Sequence, residues 1–144
     1  RFSAGFRVPL LTSASGRIFL AFSSAAQRDS LLEILSRSTR EVDKLAVNRS
    51  EVQKILAEAR NQGYATAVRP RRVTDEITMA VPIQLDDRVL AAVSVRFSGT
   101  AVPMKLAVER FLPKLRETAG HIRASFIEQQ RDPPHQHHRP AQLP

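Results

Sequence analysis

The chain of 144 residues has no cysteine, no tryptophan and a single tyrosine. The missing cysteines exclude a disulfide scaffold, a thiolate metal site and a cysteine nucleophile, and they fit a reducing compartment. Long apolar runs are missing too. Every hydrophobic stretch is broken by Arg, Asp or Ser well short of the roughly 18 residues that a membrane span needs. The five glycines are dispersed at 5, 16, 63, 99 and 120, so there is no glycine-rich phosphate loop. With aromatics at 6%, the core has to be built mainly from Leu, Val, Ile and Ala.

The remaining composition is that of one globular domain: 42% hydrophobic and 25% charged residues, enough to bury a real core. A formal charge of +8 permits anionic partners of several kinds, from nucleic acid to small acids. The basic residues are scattered, however, and only Arg69-Pro70-Arg71-Arg72 forms a cluster. No aromatic side chains alternate with it, so a stacking platform for single strands is unsupported. Charge by itself leaves the partner open.

The ends read differently from the body. The chain opens on Arg1 rather than Met, as expected of a fragment or a processed chain. Residues 129–144 are expected to form a disordered tail, because Pro and His dominate it and apolar residues are nearly lacking. His135, His137 and His138 could hold a transition metal, but a solvated tail is the plainer reading.

Within the body, periodicity and capping signals place the elements. A short helix is expected over Ser15–Phe22, with Ile18, Phe19 and Phe22 on one face. Ser24 and Gln27 form a capping box for a helix over Ala25–Leu35. Ser50 and Gln53 do the same for Glu51–Gln62, where Val52, Ile55, Leu56 and Ala59 make one apolar stripe and Gly63 ends the helix. An extended segment, Tyr64–Val68, follows. Glu76–Leu85 and Arg88–Phe97 then read as an antiparallel hairpin turning at Asp86–Asp87, a turn without its usual glycine.

Alternation puts Leu90, Ala92, Ser94 and Arg96 on one face of the second hairpin strand. That face begins apolar and ends in a hydroxyl and a guanidinium, the character of a pocket wall. A long helix over Pro103–Glu128 carries Leu106, Phe111, Leu112, Leu115, Ala119, Ile122 and Phe126 as its stripe, with Pro113 inside it. The order predicts an α+β domain with helices on one side of an antiparallel sheet.

Catalytic chemistry is hard to assemble. His121 has no nucleophile or metal partner near it in sequence. Asp75–Glu76 and Asp86–Asp87 fall at turns or strand starts, where solvated carboxylates are the rule. Ser13 and Ser15 lack a base, so the chain does not read as an enzyme and needs no cofactor.

Four ordered segments resemble the C-terminal effector-binding domain of the IclR family of transcriptional regulators. They are Arg7-Val-Pro-Leu-Leu-Thr-Ser-Ala-Ser-Gly-Arg-Ile-Phe-Leu-Ala-Phe22, Glu58-Ala-Arg-Asn-Gln-Gly-Tyr64, Met79-Ala-Val-Pro-Ile83 and Val89-Leu-Ala-Ala-Val-Ser-Val95. Within the family the chain is most similar to the branch regulating catabolism of phenylpropanoid-type and related aromatic acids. The resemblance implies a GAF-like sheet carrying helices over residues 1–128, without the domain's opening strands. It also implies a parent protein that works in the cytoplasm, away from membranes, as a homodimer or tetramer. That protein would read operator DNA through an N-terminal winged helix-turn-helix outside this chain, under control of a small organic acid.

The resemblance further implies where that acid would sit. The loop entering the first helix corresponds to Thr12, Ser13, Ala14 and Ser15, whose amides at a helix N-terminus suit a carboxylate. Thr78 and Ser94 match small polar pocket positions on the two hairpin strands. Two departures stand out: Arg96 replaces a second serine, and Val68 falls where many members carry an acidic residue, with Arg71 near another. A guanidinium at Arg96 can grip a carboxylate, while Val68, Ala80 and Leu90 could house an aryl body.

Two alternatives stay open on the sequence. Residues 41–85 could be a winged helix, with Ser50–Gln62 as recognition helix and Arg69, Arg71 and Arg72 on phosphate. A small enzyme would require a base that the sequence does not offer.

Overall fold

A computed structural model of the chain describes residues 7–69 and 75–131. The elements are α1 (Ala14–Phe22), α2 (Ala25–Ser36), a 3-10 helix (Glu41–Val47), α3 (Arg49–Gln62), β1 (Ala65–Arg69), β2 (Glu76–Leu85), β3 (Arg88–Ser98) and α4 (Met104–Arg131). Local chemistry accounts for most boundaries. The Ser24 hydroxyl accepts from the Gln27 amide at 3.2 Å and so starts α2 as expected. Gly63 takes φ +75 and donates its amide to Ala59, closing α3 with the left-handed residue that the turn requires.

The start of α3 differs from expectation. Asn48, not Ser50, is the cap: its side-chain oxygen accepts from the Glu51 amide and from the Ser50 hydroxyl, both at 3.2 Å. Ser50 is already inside the helix and merely supports the cap. The 3-10 helix before it has no counterpart in the sequence reading. Its Asp43 is buried and accepts from Ser38 Oγ at 2.7 Å.

The sheet has the order β1-β2-β3, antiparallel throughout. Asp86 solves the glycine-free hairpin turn by adopting φ 52, a conformation that Asp tolerates better than most residues. Pro82 lies in the central strand, but β1 reaches only as far as the Ala65–Ala80 rung, so β1 asks no amide of it. The β2–β3 register steps from Ile83–Ala91 to Gln84–Val89, leaving Leu90 with no counterpart across the ladder. This bulge breaks the alternation. Leu90, at 37% exposure, therefore does not continue the Ala92–Ser94–Arg96 face, contrary to the simple parity count.

Helices cover both faces of the sheet rather than one. Ala65, Ala67 and Ala80, with Ala92, pack in one cluster with Leu11, Ile18 and Leu20 of the α1 region and with Val52 and Leu56 of α3. The alternate residues of β2, Met79, Val81 and Ile83, pack in a second cluster with Leu112, Leu115 and Ala119 of α4. Each strand residue of β2 from Met79 to Val81 is buried, which a one-sided sheet would not produce. The α4 stripe is shorter than expected: Ala107 is buried, whereas Ile122 and Phe126 are exposed. α4 also continues to Arg131, so residues 129–131 are helical rather than tail. The rest of the expected tail, with its three histidines, lies outside the described residues.

The winged-helix alternative does not survive this arrangement. The apolar stripe of α3 is buried in the cluster with α1, and β2 is committed to β3 beyond residue 85. Arg71 and Arg72 fall outside the described residues. Among the described residues, no helix is long and apolar enough to cross a membrane.

One glycine fixes how α1 sits. A Cβ on Gly16 would lie 2.5 Å from Leu10 Cα and 2.7 Å from its carbonyl carbon, so the helix and the loop before it touch backbone to backbone. Gly16→Ala is expected to destabilise the fold by about 3 kcal/mol, because main chain rather than a pliable side chain has to move. Gly120→Ala is the contrasting case: it lies in the exposed part of α4 with nothing within 4 Å of the added carbon. It should stabilise by about 1 kcal/mol through helix propensity. Urea unfolding of the two variants checks both signs.

Candidate functional site

The loop of residues 7–13 and the start of α1 are held by a small set of directed bonds. The Ser13 hydroxyl donates to the Pro9 carbonyl at 2.6 Å and accepts from the Gly16 amide at 3.0 Å. Its carbonyl accepts from the Arg17 amide. The single hydroxyl hydrogen of Ser13 is thus spent on the loop itself. The amides of Ala14 and Ser15, the first two of α1, take no part in these capping bonds.

Arg17 braces the same loop from the other side. Its Nε donates to the Leu11 carbonyl at 2.8 Å and its Nη1 to the Thr66 carbonyl at 2.7 Å, joining the loop to β1. Burial pushes the Arg17 pKa down, and Glu58 nearby opposes that shift. An arginine so placed keeps its charge at neutral pH and uses it as a fork of donors.

Between this loop and the sheet lies a cavity of about 480 Å³. The loop and α1 contribute Arg7, Val8, Pro9, Thr12, Ser13, Ala14 and Ser15 to its wall, and the 3-10 helix contributes Val42. The sheet contributes Ala67, Val68, Arg69, Glu76, Thr78, Ser94 and Arg96. The strand register explains this group. Arg69–Glu76–Ser98 and Ala67–Thr78–Arg96 are successive rungs on one face, above the deeper rung Ala65–Ala80–Ser94. Room exists because Ala67, Thr78 and Ser94 are small, while the long side chains of Arg69, Glu76 and Arg96 stand at the wall.

Eight of the nine residues expected at a site therefore meet around this one space: Thr12, Ser13, Ala14, Ser15, Val68, Thr78, Ser94 and Arg96. Ala80 does not. It is fully buried one rung deeper, packed in the core with α1, and so forms the floor below rather than the wall. Leu90 stands apart as well, displaced by the bulge. Arg69, noted in the sequence as part of a basic cluster, ends β1 and lines the cavity.

Glu76 was the informative omission. It shares strand parity with Thr78, which the resemblance had pointed to, so alternation along β2 would have added Glu76 two residues away. In the structure Arg96 Nε lies 3.3 Å from Glu76 Oε1. Val42 and Arg7 carried no such signal, since nothing local marks a 3-10 helix or a loop as a cavity wall. Three arginines against one glutamate give the lining a positive balance suited to an anion.

A second hollow, about 460 Å³, lies between α2 and α3 and includes Arg28, Arg49 and Arg60. Those guanidiniums already serve the fold. Arg60 Nε binds the Ala21 carbonyl at 2.8 Å, Arg49 binds Glu33 at 3.0 Å, and Arg28 reaches the Ser23 carbonyl at 3.3 Å. The loop-and-sheet cavity is the stronger candidate because its lining is more apolar and its arginines face a shared space. Among the described residues, no three His, Asp or Glu side chains gather as a metal site would need.

The sequence matches the profile described as bacterial transcriptional regulator IclR C-terminal over residues 1–124. Three solved structures illustrate the likeness. The transcriptional regulator YaiJ is 29% identical, with a TM-score of 0.60 over 87% of this chain and 69% of its own. An IclR family transcriptional regulator from Brucella abortus is 20% identical, with a TM-score of 0.68 over 87% of this chain and 46% of its own. An IclR homolog from Microbacterium hydrocarbonoxydans, complexed with 4-hydroxybenzoate, is 25% identical, with a TM-score of 0.61 over 88% of this chain and 49% of its own. The chain thus spans about half the length of the last two. The matched proteins are transcriptional regulators, not enzymes.

The bracing role of Arg17 gives a direct expectation. Arg17→Met keeps much of the stem but removes both carbonyl contacts, and should cost about 2 kcal/mol of stability. Amide hydrogen exchange should quicken most in residues 10–16 and in β1. Uniform loss of protection across the fold would assign Arg17 no special place at the loop.

Proposed function

The chain belongs to the IclR family of bacterial transcriptional regulators, as its C-terminal effector-binding domain, and from that premise we propose that it senses a small organic acid in the loop-and-sheet cavity. The observation that carries this reading is the cavity's composition. Apolar walls at Val8, Pro9 and Val42 stand beside a surplus of guanidinium groups and the first turn of α1. An anionic head and a flat apolar body are what such a space accommodates.

The effector class is an aromatic acid. A volume of about 480 Å³ exceeds what a two- or three-carbon keto acid fills, and suits a single substituted ring. The family relative that binds 4-hydroxybenzoate supports the same class. The parent protein acts as a homodimer or tetramer in the cytoplasm. Its operator contacts come from a winged helix-turn-helix outside this chain, and the effector shifts operator affinity by binding one subunit arrangement better than another.

Thermal unfolding of the chain with hydroxybenzoates, phenylpropanoid acids and pyruvate tests the reading. At about 100 times its dissociation constant an effector adds about 2.7 kcal/mol of stability. Ser94→Phe fills the cavity from an exposed strand position without crowding the core. It should leave the unliganded fold intact and abolish the shift. A screen in which no acid raises the melting temperature, or in which Ser94→Phe responds as the parent does, would refute the assignment.

A further inference from the structure

We infer that Glu76 is an internal carboxylate competitor, occupying at Arg96 the place that the acid group of an incoming ligand has to take. The inference rests on reading this cavity as an acid-binding site. It adds the residue that sets the affinity for the acid.

The register places Glu76 between two arginines. It pairs with Arg69 across β1–β2, while Arg96, opposite Thr78 on β3, is its diagonal neighbour on the same face. All three side chains line the cavity. Arg96 Nε lies 3.3 Å from Glu76 Oε1, an ion pair at the cavity wall. The Arg96 side chain is 46% exposed and that of Glu76 is 23% exposed, so the pair is reachable from the cavity and incompletely desolvated. A partly solvated ion pair of this kind contributes little to stability, so a ligand carboxylate can take the place of Glu76 at modest cost.

An aryl carboxylate can offer Arg96 two oxygens in one plane, the geometry a guanidinium fork prefers. The exchange conserves charge pairing at Arg96 and returns Glu76 to Arg69 and solvent. A neutral ligand cannot make this exchange. It leaves the Glu76–Arg96 pair in place and gains nothing from the arginine. Glu76 therefore lowers affinity for acids and raises the acid concentration at which the domain responds.

Calorimetric titration with 4-hydroxybenzoate and its neutral analogue 4-hydroxybenzamide separates the outcomes. Glu76→Gln keeps the shape and removes the competing charge. It should bind 4-hydroxybenzoate roughly tenfold more tightly than the parent while leaving the amide unchanged. Glu76→Ala should act in the same direction. Placed in an Arg96→Met background, Glu76→Gln should bring no gain, because the contested group is gone. Unchanged or weaker acid binding by both Glu76 variants, or equal gains for acid and amide, would overturn the inference. If the parent binds the acid and Ser94→Phe does not, such a result removes the competitor and leaves the sensing cavity standing. If neither the parent nor the Glu76 variants bind the acid, both readings fall together.

Discussion

The backbone contact between Gly16 and Leu10 governs the arrangement of everything around the cavity. A loop that folds back onto the first turn of its own helix has to bring main chain against main chain, and only a residue without a Cβ permits that approach. Once made, the contact sets Ser13 where its hydroxyl can bind both Pro9 and Gly16. It also sets Arg17 where its fork can reach Leu11 and Thr66. Leu11 and Ile18 are thereby driven into full burial against the sheet and α3. The cavity wall is a by-product of this packing, since the same loop cannot both turn back on α1 and lie flat on the strands.

The other half of the cavity comes from side-chain size. On the face toward α4 the sheet presents Met79, Val81, Ile83, Val93, Val95 and Phe97, and Phe97 packs its ring 5.4 Å from that of Phe111. On the face toward α1 it presents Ala65, Ala67, Ala80 and Ala92 with Thr78 and Ser94 between them. Large residues on one side make a filled layer. Small residues on the other let α1 settle close over Ala80 and leave unfilled space beyond it, toward Thr78 and Arg96. Interiors pack to near-crystalline density, so a space of this size beside a well-filled core is an organised feature of the fold.

Much of this was legible in the sequence because it is written locally. Ser24 with its following apolar run, Gly63 at the end of α3, and the alternating strands on either side of Asp86–Asp87 each encode their geometry within a few residues. The candidate wall was legible in part for the same reason, since alternation alone put Ser94 and Arg96 on one face, whereas the helix-entry loop and Thr78 came from the family resemblance. What escaped depended on partners distant in sequence. Asn48 displaces Ser50 as cap because a 3-10 helix delivers the chain from an unforeseen direction. The bulge at Leu90 is fixed by the ladder with β2, and no strand carries that information alone. Burial on both faces of β2 follows from where α4 returns. Ala80 was misplaced because parity fixes the face of a strand residue but not its depth along the cavity.

The position of Glu76 can be understood from the state without ligand. A cavity meant for an anion collects positive charge, and Arg69 and Arg96 stand on strands flanking one central strand. Like charges so arranged repel, and partial burial strengthens the repulsion by lowering the local dielectric. A carboxylate on the intervening strand relieves it, at the cost of competing with whatever anion the site is built to take. Removing that carboxylate would favour the liganded state and burden the empty one. Glu76, 3.3 Å from Arg96, satisfies both demands, since it screens the arginines when the cavity is empty and can be replaced there by a better-shaped carboxylate. The compromise belongs to the cavity alone, for Arg17, which braces the loop from behind, is bound to backbone carbonyls and has no exchange to make.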